Sequence, residues 1–269
     1  MSADAASGED TESRRPSAGE ILGRVMDDAE EEIARPSSAL AISGFAAGLL
    51  MGLTPTAVGA VQTALHSGHG WRGLVAFLFY PLGFIAVIIG RTQLFTENTL
   101  YPIVLVLDRR QHLRDTARLW VVVLLANMAG VVVYGTIASR TPAFPQAMQT
   151  HIVALGENAL RGSWGTHFWS GIIGGWLIAL VAWLIEAADG AIAHLGIIWL
   201  LTFVVGIGHF AHSIATAGEI LTAVVEGSAP VAHFLVWATA AVVGNAIGGV
   251  VIVALLNYGQ VMAGRAKGA

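Results

Sequence analysis

Two clusters of polar residues sit inside stretches that are otherwise apolar. GRTQLFTENT, positions 90–99, brings Arg91, Gln93, Thr96, Glu97 and Asn98 together; Leu74 to Ile89 carries no charge, and LYPIVLVL is apolar again up to Asp108. The second cluster lies in LGIIWLLTFVVGIGHFAHSIATAGEILTAVV, residues 195–225, where Gly206, Gly208, His209, His212 and Ser213 interrupt the run. An imidazole, whose reference pKa is about 6.5, can hold or release a proton near neutral pH, or donate a hydrogen bond while neutral. A hydroxyl such as that of Thr96 can hydrogen-bond a small polar solute. The chemistry suggested is the handling of a charge or a proton in an apolar setting.

The surrounding elements fit that setting. The 269 residues are 55% hydrophobic and 12% charged, with a mean hydropathy of +0.68, against roughly 25% charged residues in soluble domains. Several runs reach the ~20 residues that cross a bilayer core. The chain therefore reads as an all-α membrane protein with spans near 40–65, 74–107, 117–138, 168–185, 191–225 and 231–257. It has no cysteine, which excludes disulfides and thiolate metal sites. Ten of the 18 acidic residues fall in the first 32 positions, so the net charge of −4 describes the N-terminus and not the membrane body. Residues 1–19 read as a disordered acidic tail, 20–36 as an amphipathic helix ending before Pro36, 37–258 as the membrane domain and 259–269 as a C-terminal tail. Placing the N-terminus in the cytoplasm puts Arg14, Arg15, Arg24, Arg35, Arg109, Arg110, Arg114, Arg118, Arg265 and Lys267 inside, and only Arg72, Arg140 and Arg161 outside. The positive-inside rule thus sets both termini in the cytoplasm, and the expected setting is a bacterial-type inner membrane. Arg91 remains within the membrane.

The segments 74–107 and 191–225 are too long for one ordinary span and too short for two. After the first polar cluster only about nine apolar residues remain, which as a helix cover roughly 13 Å of a core about 30 Å thick. Both segments therefore read as single helices broken near mid-membrane, which is tolerated only where protein or a water-filled cavity satisfies the freed backbone. LLANMAGVVVYG and VVGNAIGGVVIV share Asn-x-x-Gly before a β-branched run, with Asn127 placed 31 residues after Thr96 and Asn245 placed 33 after His212. Spans 1–3 and 4–6 then form an inverted repeat with breaks in matching places, a pattern that marks solute sites in transporters.

These residues resemble the formate/nitrite transporter family. Leu94-Phe95-Thr96 matches the family's second-helix break, Phe210-Ala211-His212-Ser213-Ile214-Ala215-Thr216 its fifth-helix break, and Gly244-Asn245-Ala246-Ile247-Gly248-Gly249 its last-helix pattern; Phe95-Thr96-Glu97-Asn98-Thr99 is similar to the divergent YfdC-like branch. The resemblance covers roughly residues 20–258. It implies an aquaporin-like protomer of six helices, assembled as a homo-pentamer, that conducts small monovalent anions such as formate, nitrite, lactate or hydrosulfide, often with a proton. The chain departs from the family at Ala211, where a Glu is usual, at Thr216, where an Asn is usual, and at Gly175, aligned with a pore-facing Asn. Arg161 lies where it can replace the vestibule Lys.

The expected pore residues are His212, Thr96, Leu94, Phe95 and Phe210, with the two phenylalanines as apolar constrictions. Asn127, Asn245, Asn98 and Ser213 are expected to hold the breaks, and Glu97 to pair with Arg91 across the first one, or with backbone N–H groups of the loop, as a clamp rather than a gate. His209 and Arg161 are expected at a gate or vestibule. Trp169, Trp176 and Trp183 are seven residues apart and form a packing or subunit-contact stripe. No Ser-His-Asp grouping, metal-ligand cluster, cofactor motif or nucleotide loop is present, and His66 and His69 belong to a polar loop. The reading is a non-enzymatic channel whose partners are a small anion, the lipid bilayer and further copies of itself, with no nucleic acid. A pore for neutral or cationic solutes, or a non-conducting scaffold, stands as the alternative.

Overall fold

The computed structural model describes residues 15–65, 70–109 and 112–266, and among these the chain forms helices and turns with no strand. The tail expected over 1–19 lies mostly outside the described residues, as do His66 and His69. Helix α1 (Ala18–Ala34) opens with a reciprocal cap: Ser17 N donates to Glu20 Oε2 at 2.6 Å and Glu20 N donates to Ser17 Oγ at 3.3 Å. Its buried Leu22, Val25, Ala29 and Ile33 recur at helical spacing along one face, as in an amphipathic helix.

Six apolar segments follow. The first is α2 (Ser37–Met51) and α3 (Leu53–Ala64), bent at Gly52, where a Cβ would lie 2.0 Å from the Tyr134 ring. The second is α4 (Trp71–Phe77) and α5 (Leu82–Ile89), then a break, then α6 (Tyr101–Arg109). The third is α7 (Leu113–Arg140). After the surface helix α8 (Gln146–Ala159) come α9 (Trp164–Glu186), capped by Ser163, and the pair α10 (Ala191–Ile207) and α11 (Ala215–Glu226) around the second break. The sixth runs through α12 (Val231–Ile247), a π-helical stretch at Gly248–Leu255 and α13 (Leu256–Ala266). That last helix continues through most of the stretch read as a C-terminal tail. Helix α8 has no counterpart in the sequence reading, because it is too polar for a span and its buried face is only Met148, Ile152 and Gly156.

The two halves repeat with inverted sense. Helix α2 packs on α7 as α9 packs on α12, and α1 packs on α6 as α8 packs on α11. Glycines let the paired helices touch: a Cβ on Gly48 would fall 2.1 Å from the Asn127 carbonyl oxygen, and one on Gly175 would fall 2.2 Å from that of Asn245. Gly175 therefore faces the α12 backbone and not a pore. Neither neighbour is a flexible side chain that can retreat, so Gly175→Ala is expected to cost about 2 kcal/mol or more. Thermal unfolding in detergent checks this, with Gly196→Ala, whose Cβ would meet nothing, expected to be neutral.

Among the described residues five helical segments are long and apolar enough to cross a membrane, and α10 joined to α11 completes six. Ile42, Leu125, Leu200 and Val236 are among the large apolar side chains on the outer surface. Trp169 and Trp176 are exposed, whereas Trp183 is buried with Leu22 and Val25 of α1. The stripe thus leaves the surface at its C-terminal end.

Candidate functional site

Each break is built around one asparagine. In the first, the chain turns through Arg91 at φ 51, and Gln93 N donates to Ser43 Oγ at 3.1 Å. Asn127 Oδ1 accepts from Phe95 N at 2.9 Å, while its Nδ2 donates to Gly44 O at 2.7 Å and Gln93 O at 2.8 Å. In the second, His209 turns at φ 50 and Ala211 N donates to Ser170 Oγ at 2.9 Å. Asn245 Oδ1 accepts from Ser213 N at 2.7 Å, and its Nδ2 donates to Gly171 O at 2.7 Å and Ala211 O at 2.8 Å. Both asparagines are fully buried. They supply the polar partners that an interrupted helix needs at membrane depth. Phe95 and Ser213 each precede their asparagine by 32 residues, so the repeat aligns Phe95 with Ser213 and does not pair Thr96 with His212 as the 31- and 33-residue spacings suggested. Arg91 and His209 hold matching left-handed positions, a conformation that costs a non-glycine residue about 1–2 kcal/mol.

Asn98 also braces the first break, donating to Gln93 Oε1 at 2.9 Å and accepting from Trp120 Nε1 at its carbonyl at 2.7 Å. Ser213 does so through its backbone N alone; its buried Oγ has no partner among the described residues.

Between the breaks, His212 and Thr96 meet. Thr96 Oγ1 and His212 Nε2 are 2.8 Å apart, and both residues are fully buried. His212 Nδ1 accepts from Ala215 N at 3.0 Å and Ile214 N at 3.3 Å. A ring nitrogen that accepts carries no hydrogen, so the neutral ring has its proton on Nε2 and donates it to the Thr96 hydroxyl. The His212 Nδ1 thereby satisfies free N–H groups at the start of α11, although the N-cap position itself is Ile214. Its own backbone N donates to Thr216 Oγ1 at 3.2 Å, and Phe84 meets the ring edge-on at 4.9 Å between centroids.

Two cavities approach this pair from opposite faces. The first, about 480 Å³, lies on the face where α1 and α13 pack together. It is lined by Leu94 and by the charged groups Arg24, Asp28, Glu32, Arg91, Glu97, Glu186 and Asp189. The second, about 570 Å³, lies on the far face and is lined by Phe210, His209, Arg161, Thr166, His167, Thr216 and Glu219 among others. His212 and Thr96 line neither; they are sealed between them. Leu94 lines the first cavity and Phe210 the second.

Two expectations need correction. Phe95 lines neither cavity but packs edge-on against Trp120, 5.9 Å between centroids, so it is not a constriction. Arg91 and Glu97 form no ion pair among the described residues: Arg91 Nη2 lies 3.4 Å from Asp28 Oδ2. The cause is α1, which lies across the cavity mouth and offers Arg91 a nearer carboxylate. Glu32, on the same helix, is 3.1 Å from Arg35 Nη1, yet burial pushes its carboxyl above the usual range. Arg91 is exposed, so its bond with Asp28 contributes little to stability. Arg91→Gln is expected to shift the melting temperature by less than about 1 kcal/mol of stability, measured by thermal unfolding.

The sequence reading did not single out Glu219. It is 7% exposed and lines the far cavity, and its carboxyl makes no hydrogen bond or ion pair among the described residues. The available signal was that residues 195–225 contain no other carboxylate. No group of three or more His, Asp or Glu among the described residues is arranged to hold a metal ion.

Comparison with known proteins accords with this geometry. The family model described as Formate/nitrite transporter matches residues 19–259. Inner membrane protein YfdC of Escherichia coli K12 is 34% identical over 93% of this chain and 81% of its own length. A probable formate transporter of Methanothermobacter thermautotrophicus is 28% identical over 69% of this chain and 75% of its own. Among solved structures, an FNT family ion channel matches with a TM-score of 0.80 at 18% identity, covering 90% of this chain and 99% of that one. A pentameric formate channel with formate bound matches with a TM-score of 0.68 at 20% identity, covering 88% and 98%. The structures share the fold with six helices, the second and fifth broken, and the sequence match spans almost the whole chain: it belongs to the formate/nitrite transporter family.

Proposed function

We propose that this protein is a channel of the inner membrane for small monovalent weak-acid anions of the formate, nitrite, lactate and hydrosulfide class. Transport is passive or coupled to a proton, and the protein is not an enzyme. The observation that carries this reading is the sealed His212–Thr96 pair between two cavities. A bare anion at that depth costs several kcal/mol, and the pair offers a hydrogen-bond donor where the cost is highest. His212 Nε2–H, or the Thr96 hydroxyl it bonds, turns to the solute as it passes. The excess of Lys and Arg on the α1 and α13 face supports cytoplasmic termini and makes the 480 Å³ cavity the cytoplasmic vestibule. Residues 37–258 form the channel, and the N-terminal tail and helix together with the C-terminal tail flank it on the cytoplasmic side. The pentameric relative supports a homo-pentamer with one pore per protomer.

One feature favours the alternative of a neutral or cationic solute. The cytoplasmic vestibule carries five carboxylates (Asp28, Glu32, Glu97, Glu186, Asp189) against two guanidiniums (Arg24, Arg91). Liposomes containing the purified protein decide between the readings. Uptake of formate, nitrite, lactate and hydrosulfide is measured across a pH series, with His212→Phe alongside and glycerol and ammonium as comparison solutes. Anion uptake that falls in the variant is the expected result. Flux of glycerol or ammonium alone would replace the anion reading with the alternative, and a pore silent to every solute would leave a scaffold.

A further inference from the structure

We propose that Glu219 is the proton-loading site of the far cavity, transferring a proton to a weak-acid anion before that solute reaches His212. The proposal rests on the weak-acid reading above and adds where the proton comes from.

Four observations carry it. Glu219 is more than nine-tenths buried, lines the far cavity and lacks any ion-pair partner among the described residues. It lies one turn beyond Thr216, whose hydroxyl accepts from the His212 backbone N. Its own backbone is pinned, since α8 presses Gly156 against it so closely that a Cβ there would fall 2.2 Å from the Glu219 carbonyl oxygen. Finally, the His212 ring is committed at both nitrogens, with Nδ1 accepting from the α11 N–H groups and Nε2 bonded to Thr96. Protonating Nδ1 would set an N–H against two N–H donors. The central histidine is therefore poorly placed to supply a proton, whereas a carboxylic acid in the vestibule is well placed.

The ionisable groups around Glu219 complete the arrangement. Tyr80, from the segment between α4 and α5, lines the same cavity, and Tyr134 of α7 bonds Thr56 at 3.0 Å. His167 of α9, His209 of the second break and Arg161 between α8 and α9 also line it. The buried faces of α2, α3, α8 and α12 present no ionisable side chain. The Arg161 guanidinium attracts the anion, and the unpaired carboxyl hydrogen-bonds it as an acid. In the transfer, the O–H bond of Glu219 breaks, an O–H bond forms on the anion, and the carboxylate left behind takes its next proton from water in the cavity. The neutral acid then passes His212 without the cost of a bare charge. This step selects anions whose conjugate acids have roughly carboxylic strength or are weaker. Formate and nitrite qualify; nitrate does not.

Proteoliposomes loaded with a pH dye test the proposal, using formate and nitrate as probes with Glu219→Gln and Glu219→Asp. In the unmodified protein, formate uptake is expected to rise as outside pH falls and to carry protons inward, with nitrate excluded. Glu219→Gln, which keeps the shape but has no proton to give, should lower formate uptake about tenfold or more and flatten its pH profile. Glu219→Asp should restore part of both. In pH-difference infrared spectra, a protonated-carboxyl band should vanish in Glu219→Gln, a readout that does not depend on flux. A Gln variant with unchanged rate and pH profile overturns the proposal and leaves the anion channel standing. A wild-type protein silent to formate at every pH overturns both.

Discussion

Asn245→Ala is expected to collapse the second break and with it the far cavity. The side chain it removes satisfies three backbone groups, Ser213 N, Gly171 O and Ala211 O, at 2.7, 2.7 and 2.8 Å in a fully buried position. In water an orphaned buried group costs about 1–3 kcal/mol. Between membrane helices measured values are smaller, ~0.6–1.7 kcal/mol, because the unfolded chain in lipid also finds partners. Three such groups still sum to roughly 3 kcal/mol. The expected result is a clear fall in melting temperature in detergent and loss of solute flux. Asn245→Asp should fare no better, since a carboxylate would face two carbonyl oxygens. Asn127→Ala should behave alike, because it orphans Phe95 N, Gly44 O and Gln93 O in the first break. A melting temperature equal to that of the unmodified protein would mean that the asparagines do not hold the breaks.

The breaks were legible in the sequence because membrane depth makes polar residues costly. Arg91, Thr96, His209 and His212 stood out against their neighbours, and the two asparagines located the repeat. Hydropathy fixes that a break exists but not its register, so the alignment of the halves came out one residue off in each. Amphipathicity showed that one face of α1 is buried, without showing what it covers. Arg91 was therefore matched with Glu97, six positions along the chain, when its partner Asp28 is 63 residues away. Phe95 resembled a constriction by type and place; only the position of Trp120 on α7 reveals that its ring packs sideways. Glu219 escaped notice for the opposite reason. It lies outside the polar clusters, in a helical turn that nothing local marks as facing a cavity.

The second large effect concerns His212, whose ring performs two tasks that substitution can separate. Nδ1 caps α11 by accepting from Ala215 N, and Nε2 carries the hydrogen bond to Thr96. Asparagine is a good capping residue, so His212→Asn keeps an acceptor for the α11 N–H groups while its shorter side chain cannot reach Thr96. It is expected to hold stability within about 1 kcal/mol of wild type yet lose solute flux. His212→Phe loses both tasks and should cost about 1–2 kcal/mol of stability as well. Thr96→Val, which leaves Nε2–H buried without an acceptor, should resemble His212→Asn in flux while costing roughly 1–3 kcal/mol; Thr96→Ser should restore both. Thermal unfolding and formate uptake measured on the same preparations separate the contributions. If His212→Asn conducts like wild type, the ring serves only to cap the half-helix, and the solute crosses the seal without its help. If flux is lost while the fold stands, the pair between the cavities is the step that every solute must pass.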